Sequence, residues 1–246
     1  MDRANVINAL ADVALSSNEM EYAYRVRTAS GTGTCFLYGD KRGFFFVTAA
    51  HILKAVKAGG NVLFSHESGW LPQKVEAIFC HPSGHDIAAF VTDQPIGGKS
   101  DFDNDFLVMP GQPLKFLGFP HGLQSNYPSQ FGYHTPLVRS AHFSGVTLIN
   151  GQATTILDGF NNPGYSGGPI YGCGADGLPK LFGVISGYRH EAETHSKVYC
   201  RNEVGEIEQA SQYFVQANSG MIYAIGKREY LELFGLVNHF QRGPRA

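Results

Sequence analysis

The stretch NNPGYSGGPIYG, which runs from Asn161 to Gly172, places one serine among three glycines and between two prolines. Glycine and proline punctuate chains, so an ordinary turn is one interpretation. A nucleophilic serine is another, because it must lie on a tight turn where backbone N–H groups can approach a developing oxyanion. The second interpretation requires that Ser166 find a histidine and an acid elsewhere in the chain.

Composition limits the class of protein before any other motif is considered. The chain has 246 residues, of which 30 are glycine and 16% are charged, and this indicates a compact fold rich in turns. With a formal net charge of −2, the chain has no excess of basic residues that would indicate nucleic-acid binding. No segment approaches the ~20 apolar residues of a membrane span, and Asp2, Asp12 and Glu19 interrupt what would be the apolar core of a signal peptide. We therefore expect a cytoplasmic protein that binds neither nucleic acid nor membranes.

The cysteines predict neither a metal site nor a disulfide framework. Cys35, Cys80, Cys173 and Cys200 form no CxxC pair, so a zinc site is not expected. An even count permits two disulfides, but four cysteines are sparse for a secreted scaffold. We expect four free thiols, each acting as a small buried hydrophobe.

Short apolar runs dominate the chain, and glycine, proline, asparagine or aspartate separates most of them, as in GFFFVTAA, DIAAFVT and KLFGVISGY. Many short strands with turn signals favour an all-β sandwich or barrel. Helical spacing appears at residues 5–15 and again at residues 227–240. The polar span 190–216 has weak strand signals and is either an insertion loop or a decorated hairpin.

One histidine and one aspartate are candidates to accompany the serine. His51 follows a buried-looking strand, where a side chain is well placed for chemistry, although a plain strand-end cap would have the same pattern. Asp86 opens an apolar strand after a turn, where it either caps the turn or orients an imidazole. With Ser166 they follow the order His–Asp–Ser, a known solution to a catalytic triad that occurs on paired β-barrels.

Three motifs carry a resemblance to a known family. VTAAH (47–51), HDIAAF (85–90) and GYSGGPI (164–170) resemble the histidine, aspartate and serine motifs of the trypsin-like, chymotrypsin-fold serine peptidases, in particular their intracellular or bacterial branch. The resemblance spans about residues 25–227. It implies an all-β fold of two packed six-stranded antiparallel β-barrels with peripheral N- and C-terminal helices.

The resemblance also implies a domain organisation. An N-terminal helical extension would cover residues 1–24. The peptidase domain would cover residues 25–227, with its two barrels divided near residues 100–112. A C-terminal helix and tail would cover residues 228–246. The chain lacks a recognisable activation site that would give a new Ile or Val N-terminus, so a trypsinogen-type switch is not expected.

The implied activity is that of a serine endopeptidase, which cleaves protein substrates through an acyl-enzyme and needs no metal or organic cofactor. His51 would be the general base, Asp86 would hold its tautomer, and Ser166 would be the nucleophile. The backbone N–H groups of Gly164 and Ser166 would form the oxyanion hole. Gly164 suits this position because the loop must turn with its N–H inward, which disfavours residues bearing Cβ.

The resemblance places the substrate beside eight residues: Phe160, Asn161, Asn162, Pro163, Ser186, Gly187, Tyr188 and Gly220. The segment 186–188 would pair with the substrate backbone as an added strand. Preference for Arg or Lys needs an acid six residues before the serine, where Phe160 stands, and Asp158 lies two places off. A buried substrate cation without a paired acid is disfavoured, so we predict a preference for uncharged residues, with Phe160 filling a shallow pocket. His190 and His195 could instead attract a substrate glutamate.

Two alternatives stay open at this point. GYSGG also fits the G-x-S-x-G elbow of α/β-hydrolases, which would take its acid and histidine from the residues after Ser166, with His190, His195 and His239 as candidates. That fold needs strands alternating with helices, and residues 25–165 show few helical segments. A peptidase fold can also persist as a catalytically silent binding module, although such loss usually removes a triad residue, and none is lost here.

Overall fold

A computed structural model of the chain describes residues 12–40, 43–93, 108–202 and 204–242, of which residues 18, 40, 188–198, 200, 209–217, 241 and 242 are described by their backbone only. Strands dominate these ranges and form two closed, six-stranded antiparallel barrels with short helices near both ends of the chain. The predicted all-β fold of two barrels with peripheral helices is confirmed. Strands alternating with helices are not found in these ranges, so the α/β-hydrolase alternative is wrong.

The first barrel contains β1 (Ala23–Thr28), β2 (Gly31–Asp40), β3 (Gly43–Thr48), β4 (Asn61–His66), β5 (Gly69–Cys80) and β6 (Ala88–Thr92). They close in the order β1, β2, β3, β6, β5, β4. Alternate residues face inward, and aromatic rings fill the interior. The Phe46 ring lies 5.0 Å from the Phe64 ring and 5.1 Å from the Phe90 ring between centroids. This packing gives the segments at the barrel end a rigid base.

The second barrel contains β7 (Pro113–Gly118), β8 (Leu137–Ile149), β9 (Gln152–Asp158), β10 (Pro169–Cys173), β11 (Pro179–Arg201) and β12 (Ile207–Ile225). They close in the order β7, β8, β9, β12, β11, β10. Leu114, Phe116, Leu157 and Ile170 are buried in its interior. β11 and β12 continue well beyond the barrel as a two-stranded ribbon, in which His195 pairs with Gln216 and Arg201 pairs with Ile207. The polar span 190–216 is therefore a hairpin rather than an insertion loop.

The described ranges contain three α-helices beside the barrels: α1 (Ser17–Glu21), α2 (Ala50–Leu53) and α3 (Lys227–Arg242). None of the helices in the described ranges is long and apolar enough to cross a membrane.

The C-terminal helix α3 joins the two barrels through a shared core. Its buried face consists of Tyr230, Leu233, Phe234 and Val237. The Phe234 ring lies 5.2 Å from the Phe45 ring of the first barrel, and Tyr230 Oη donates a 2.8 Å hydrogen bond to the Leu181 carbonyl of the second. Each such apolar side chain contributes about 1.5–3 kcal/mol on burial, so α3 holds the barrels against each other.

The last residues of the helix predicted at residues 5–15 are not helical. Residues 12–15 are not helical, so this part of the predicted helix at residues 5–15 is wrong, and residues 5–11 lie outside the described ranges. Helix α1 begins at Ser17 because Ser16 and Glu19 form a capping pair, in which Ser16 N and Oγ donate to Glu19 Oε2 at 2.7 and 2.6 Å. Asp12 instead pairs with Lys115 Nζ at 2.7 Å on the second barrel.

Three of the four cysteines have described side chains, and all three are unpaired. Cys35 and Cys173 are buried, as predicted. Cys80 is exposed at the end of β5, so the prediction that it acts as a buried hydrophobe is wrong. The Cys200 side chain lies outside the described part.

Candidate active site

His51 and Asp86 both come from the end of the first barrel. His51 is the second residue of α2, which begins two residues after β3 ends. Ile52 and Leu53 are buried against the barrel, and this leaves the His51 side chain 47% exposed at the surface. Asp86 precedes buried Ile87 in the connection between β5 and β6. Burial of apolar neighbours therefore positions both polar side chains.

Three hydrogen bonds hold the Asp86 carboxylate. His51 Nδ1 lies 2.8 Å from Asp86 Oδ2, and the His51 backbone N–H donates to Asp86 Oδ1 at 2.9 Å. Ser186 Oγ donates to Asp86 Oδ2 at 2.8 Å. Because an ionised carboxylate can only accept, Nδ1 of His51 carries the hydrogen, and its Nε2 is left as a free lone pair. This is the tautomer in which His51 can act as a base.

The pKa of Asp86 is set by two opposing effects. Burial alone would raise the pKa, since a carboxylate loses hydration in a low-dielectric environment. The hydrogen bonds from His51 and Ser186 and the attraction to the imidazole outweigh burial and lower the pKa below its ordinary value. Asp86 is therefore ionised at neutral pH.

The serine loop, residues 159–168 between β9 and β10, belongs to the second barrel and packs tightly against the first. Thr34 N, in β2, donates to the Ser166 carbonyl at 2.8 Å, and Gly167 N donates to the Ile185 carbonyl at 2.7 Å. Gly167 has φ 84° and Gly168 lies against the Leu117 carbonyl, so neither position has room for a side chain. Backbone-to-backbone packing thus explains two glycines of the GYSGGP motif.

A continuous set of hydrogen bonds brings the three predicted catalytic residues together. Ser166 Oγ donates to the Ser186 carbonyl at 3.2 Å, while the hydroxyl of the same Ser186 binds Asp86, which binds His51. Among the described residues no hydrogen bond joins Ser166 Oγ directly to His51. The Ser186 hydroxyl is a contact to Asp86 that sequence reasoning missed, because it had assigned Ser186 to substrate pairing alone.

Two peptide units of the serine loop are held so that their N–H groups are free. The Pro163 carbonyl accepts from His121 N at 2.9 Å, and the Tyr165 carbonyl accepts from Gly168 N at 2.8 Å. In a trans peptide the N–H points opposite to the carbonyl, so the N–H groups of Gly164 and Ser166 face away from these partners. Neither N–H has a backbone acceptor within the described ranges.

The conformation of this loop depends on two unusual backbone positions. His121 has φ 49°, a left-handed conformation that is uncommon outside glycine, and lies in the single 3₁₀ turn Pro120–Gly122. Gly164 has φ 111°, and a Cβ there would collide with the Phe119 carbonyl. Thr34 Oγ1 also donates to the Gly164 carbonyl at 2.7 Å. Sequence reasoning missed His121, since FPHG looks like any Pro-Gly turn.

Three segments meet where the specificity pocket is predicted. Asn161, which is only 1% exposed, donates from Nδ2 to the Gly187 carbonyl at 3.1 Å. Its own carbonyl accepts from Asn218 Nδ2 at 2.6 Å, and Gly159 N donates to the Gly220 carbonyl at 2.8 Å. The Asn161 side chain therefore joins the segment 160–163 to the segment 186–188, and its backbone carbonyl is bonded to Asn218 ahead of Gly220.

Phe160 lies at the surface of this region, and its side chain is 60% exposed. Strand alternation accounts for this exposure, because it continues past the end of β9: Leu157 and Asn161 are buried, whereas Asp158 and Phe160 are exposed. The role of Phe160 in filling the pocket stays a prediction.

The remaining predicted residues border this region. Asn162 is partly buried and Pro163 is exposed, and both precede Gly164 in the loop. Tyr188 pairs with Ile222 and His190 pairs with Asn218 along the ribbon, but the side chains of Tyr188, His190 and His195 are outside the described part. Within the described ranges, no group of three or more His, Cys, Asp or Glu side chains is arranged to hold a metal ion.

Solved structures with the same two-barrel fold are serine proteases. The inactive form of the Rv3671c protease of M. tuberculosis aligns with a TM-score of 0.55 and 16% identity over 96% of each chain. The HtrA-type protease AlgW, solved with a tripeptide, aligns with a TM-score of 0.55 and 14% identity over 91% of this chain and 62% of its own. The thermostable serine protease AL20, from an extremophilic microorganism, aligns with a TM-score of 0.53 and 16% identity over 90% of this chain and 99% of its own.

These similarities show that the chain has the fold of the trypsin-like serine peptidases. At 14–17% identity they speak for the fold alone. Neither protein-family models nor curated proteins match this sequence.

Proposed function

We propose that the chain is a serine endopeptidase in which Ser166 is the nucleophile, His51 the general base and Asp86 the residue that orients His51. The observation that carries the proposal is the run of hydrogen bonds from His51 through Asp86 and Ser186 to Ser166. These contacts support a site in which the Ser166 hydroxyl, the His51 imidazole and the Asp86 carboxylate act together where the two barrels meet.

The first half-reaction forms an acyl-enzyme. His51 Nε2 takes the proton of the Ser166 hydroxyl as Oγ attacks the peptide carbonyl, and Asp86 stabilises the resulting imidazolium. The oxyanion receives hydrogen bonds from the N–H groups of Gly164 and Ser166, which are free to donate because His121 and Gly168 hold the adjoining carbonyls. His51 then gives its proton to the leaving amine, and the acyl group remains on Ser166.

The second half-reaction releases the acyl group. A water takes the place of the departed amine and loses a proton to His51 Nε2 as it attacks the ester. The same two N–H groups bind the second oxyanion. Ser166 leaves as its hydroxyl recovers the proton from His51, so the site returns to its starting state.

A substrate strand would also release the nucleophile from its resting contact. Ser166 Oγ donates to the Ser186 carbonyl at 3.2 Å. A substrate paired with the 186–188 segment as an added strand would offer its own N–H to that carbonyl. The Ser166 hydroxyl would then turn to His51, and catalytic hydrogen bonds commonly tighten in this way on substrate binding.

The pocket geometry supports a preference for small, uncharged residues before the cut. The buried Asn161 side chain joins the segment 160–163 to the segment 186–188, and Asp158 faces solvent. A library of peptides read by mass spectrometry should show cleavage mainly after small or apolar residues. Cleavage mainly after Arg or Lys would contradict this and implicate Asp158, and cleavage mainly after Glu would implicate His190 or His195.

The proposed activity is tested with a fluorophosphonate probe and a protein substrate. The wild-type protein should become labelled at Ser166, located by peptide mapping, and should fragment casein. Ser166→Ala should lose both labelling and cleavage. Ser68→Ala, which removes an exposed serine from the first barrel, is the matched control and should behave as the wild type.

A properly folded wild-type protein that neither labels nor cleaves would contradict the proposal and favour a silent binding module. Labelling that persists in Ser166→Ala would show that another residue is the nucleophile.

A further inference from the structure

Two arginines and the single tryptophan of the chain form a cluster on the outer face of the first barrel. Arg25 and Arg27, both in β1, place their guanidinium carbons 5.1 and 4.3 Å from the centroid of the Trp70 ring in β5. These three residues are called the Arg–Trp–Arg cluster below. Cation–π attraction to one indole holds two like charges close together, although the two charges repel each other.

The positive charge of this cluster has no carboxylate counterpart in the described part of the chain. Among the described residues, neither guanidinium has a carboxylate within ion-pair distance. The Arg25 Nε is buried and has no hydrogen-bond partner there. Burial, followed by the nearby charge of Arg27, lowers the pKa of Arg25.

The cluster adjoins the serine loop through the register of the sheet. Arg25 in β1 is paired with Thr34 in β2, and Thr34 binds the carbonyls of both Ser166 and Gly164. The Arg25 guanidinium also packs against Gly122, which follows His121 in the turn that holds the serine loop. The strand pair Arg25–Thr34 therefore connects the cluster to the loop that carries Ser166.

The direction of a substrate across the site follows from the opposite contacts of the serine loop. On one side the loop binds Ile185 and Ser186, at the start of the segment predicted to pair with the substrate. On the other side it binds Thr34, and behind Thr34 lies Arg25. A substrate that pairs with residues 186–188 before the cut would therefore continue toward β1 after the cut.

We propose that the Arg–Trp–Arg cluster binds the side-chain carboxylate of an Asp or Glu that lies a few residues after the scissile bond. The proposal rests on the proposed endopeptidase function. Two guanidiniums offer several N–H donors in planar forks, which match the geometry of a carboxylate. Partial burial of Arg25 shields the interaction from solvent and strengthens it relative to an exposed ion pair.

Trp70 makes the cluster directly measurable without catalysis, because it is the only tryptophan in the chain. The experiment titrates Ser166→Ala protein with an amidated peptide carrying two adjacent glutamates and follows tryptophan fluorescence. We expect a saturable change, at least tenfold weaker for the peptide with glutamines instead, and weaker in high salt because exposed charges are screened.

Charge-removing variants locate the binding. Arg25→Gln with Arg27→Gln, in the Ser166→Ala background, should bind the glutamate peptide no more tightly than the glutamine peptide. Lys57→Gln removes an exposed positive charge from the same barrel and should leave the tenfold difference intact. A free C-terminal carboxylate on the glutamine peptide tests the other source of the same chemistry. If it binds as tightly as the glutamate side chains, side-chain recognition is overturned.

Cleavage assays give the second readout. Glutamate after the cut should raise kcat/KM about tenfold over glutamine in the wild type and by less than twofold in the double arginine variant. A chromogenic amide that has no residue after the cut should be hydrolysed equally by both proteins.

The two proposals fail separately. Absence of fluorophosphonate labelling would remove the endopeptidase while the fluorescence titration still reports on the cluster. An enzyme that labels and cleaves, but shows equal fluorescence and equal kcat/KM with glutamate and glutamine peptides, would overturn the carboxylate site.

Discussion

The two barrels contribute halves of the candidate site that differ in which of their hydrogen bonds are formed. In the first barrel, His51 and Asp86 are joined by two hydrogen bonds, and the tautomer of the imidazole is already that of a base. In the second barrel, hydrogen bonds to backbone carbonyls hold the serine loop, but the Ser166 hydroxyl is bonded to Ser186 and not to His51. Under the proposed function, folding alone forms the His51–Asp86 pair and holds the serine loop, whereas the contact between Ser166 and His51 forms when a substrate binds.

The largest expected effect comes from removing either half altogether. Ser166→Ala and His51→Ala should each lower kcat by roughly 10⁴- to 10⁶-fold, because the residues of a triad act as a unit. The double variant should be barely worse than either single one, measured on one peptide substrate with circular dichroism to verify the fold. Losses that multiply would show that the two barrels act independently, and substantial activity in His51→Ala would point to another base.

The second prediction loosens the connection between the barrels. Phe234→Ala should lower the free energy of unfolding by about 3–5 kcal/mol, because it opens a cavity where α3 meets both barrels. Urea unfolding in the Ser166→Ala background avoids self-cleavage. Leu231→Ala, at an exposed position of the same helix, should change stability by about 0.5 kcal/mol or less. Equal effects of the two substitutions would show that α3 is not a structural clamp.

The third prediction tests the backbone conformation of the serine loop independently of the Ser166 hydroxyl. His121→Pro removes the N–H that holds the Pro163 carbonyl and excludes the left-handed φ of 49°. If the Gly164 N–H is thereby lost from the oxyanion hole, kcat should fall by about 10²- to 10³-fold with little change in KM. His121→Gly keeps both the N–H and the positive φ, and should stay close to the wild type. A large loss in His121→Gly would instead assign a role to the imidazole.

The smallest expected effect is a change of stability with pH from the first barrel. The pKa of Asp86 is lower in the folded chain than in the unfolded one, so the folded chain binds fewer protons. Its contribution to stability is complete above the unfolded pKa of about 3.9 and is lost as the pH falls through the folded pKa. Urea unfolding of Ser166→Ala with and without Asp86→Asn should therefore show a difference that shrinks below about pH 4. A difference that grows in acid would contradict the lowered pKa.

The fold and the three candidate catalytic residues could be predicted because each has a local signature. The strand before His51, the turn before Asp86 and the glycines around Ser166 are all readable within a few residues. The order of the three then narrowed the architecture, and the two closed barrels agree with it.

The contacts that refine the site could not be predicted, because they join distant residues or depend on register. The Ser186 hydroxyl meets Asp86 across 100 positions. Phe160 is exposed and Asn161 is buried because the inside–outside alternation of side chains in β9 continues beyond Asp158. The local sequence does not reveal where that alternation stops. His121 adopts its left-handed conformation in a turn whose sequence permits several others.

The glycines of the serine loop have a consequence for how such sequences diverge. Gly167 and Gly168 lie against the Thr34 and Leu117 carbonyls, and Gly164 lies against the Phe119 carbonyl, so all three are demanded by packing rather than by chemistry. A descendant that lost the Ser166 hydroxyl would still be under selection to retain them. The glycine pattern is therefore a mark of the architecture that can persist without activity, and under the proposed function the identities at positions 51, 86 and 166 distinguish an active descendant from an inactive one.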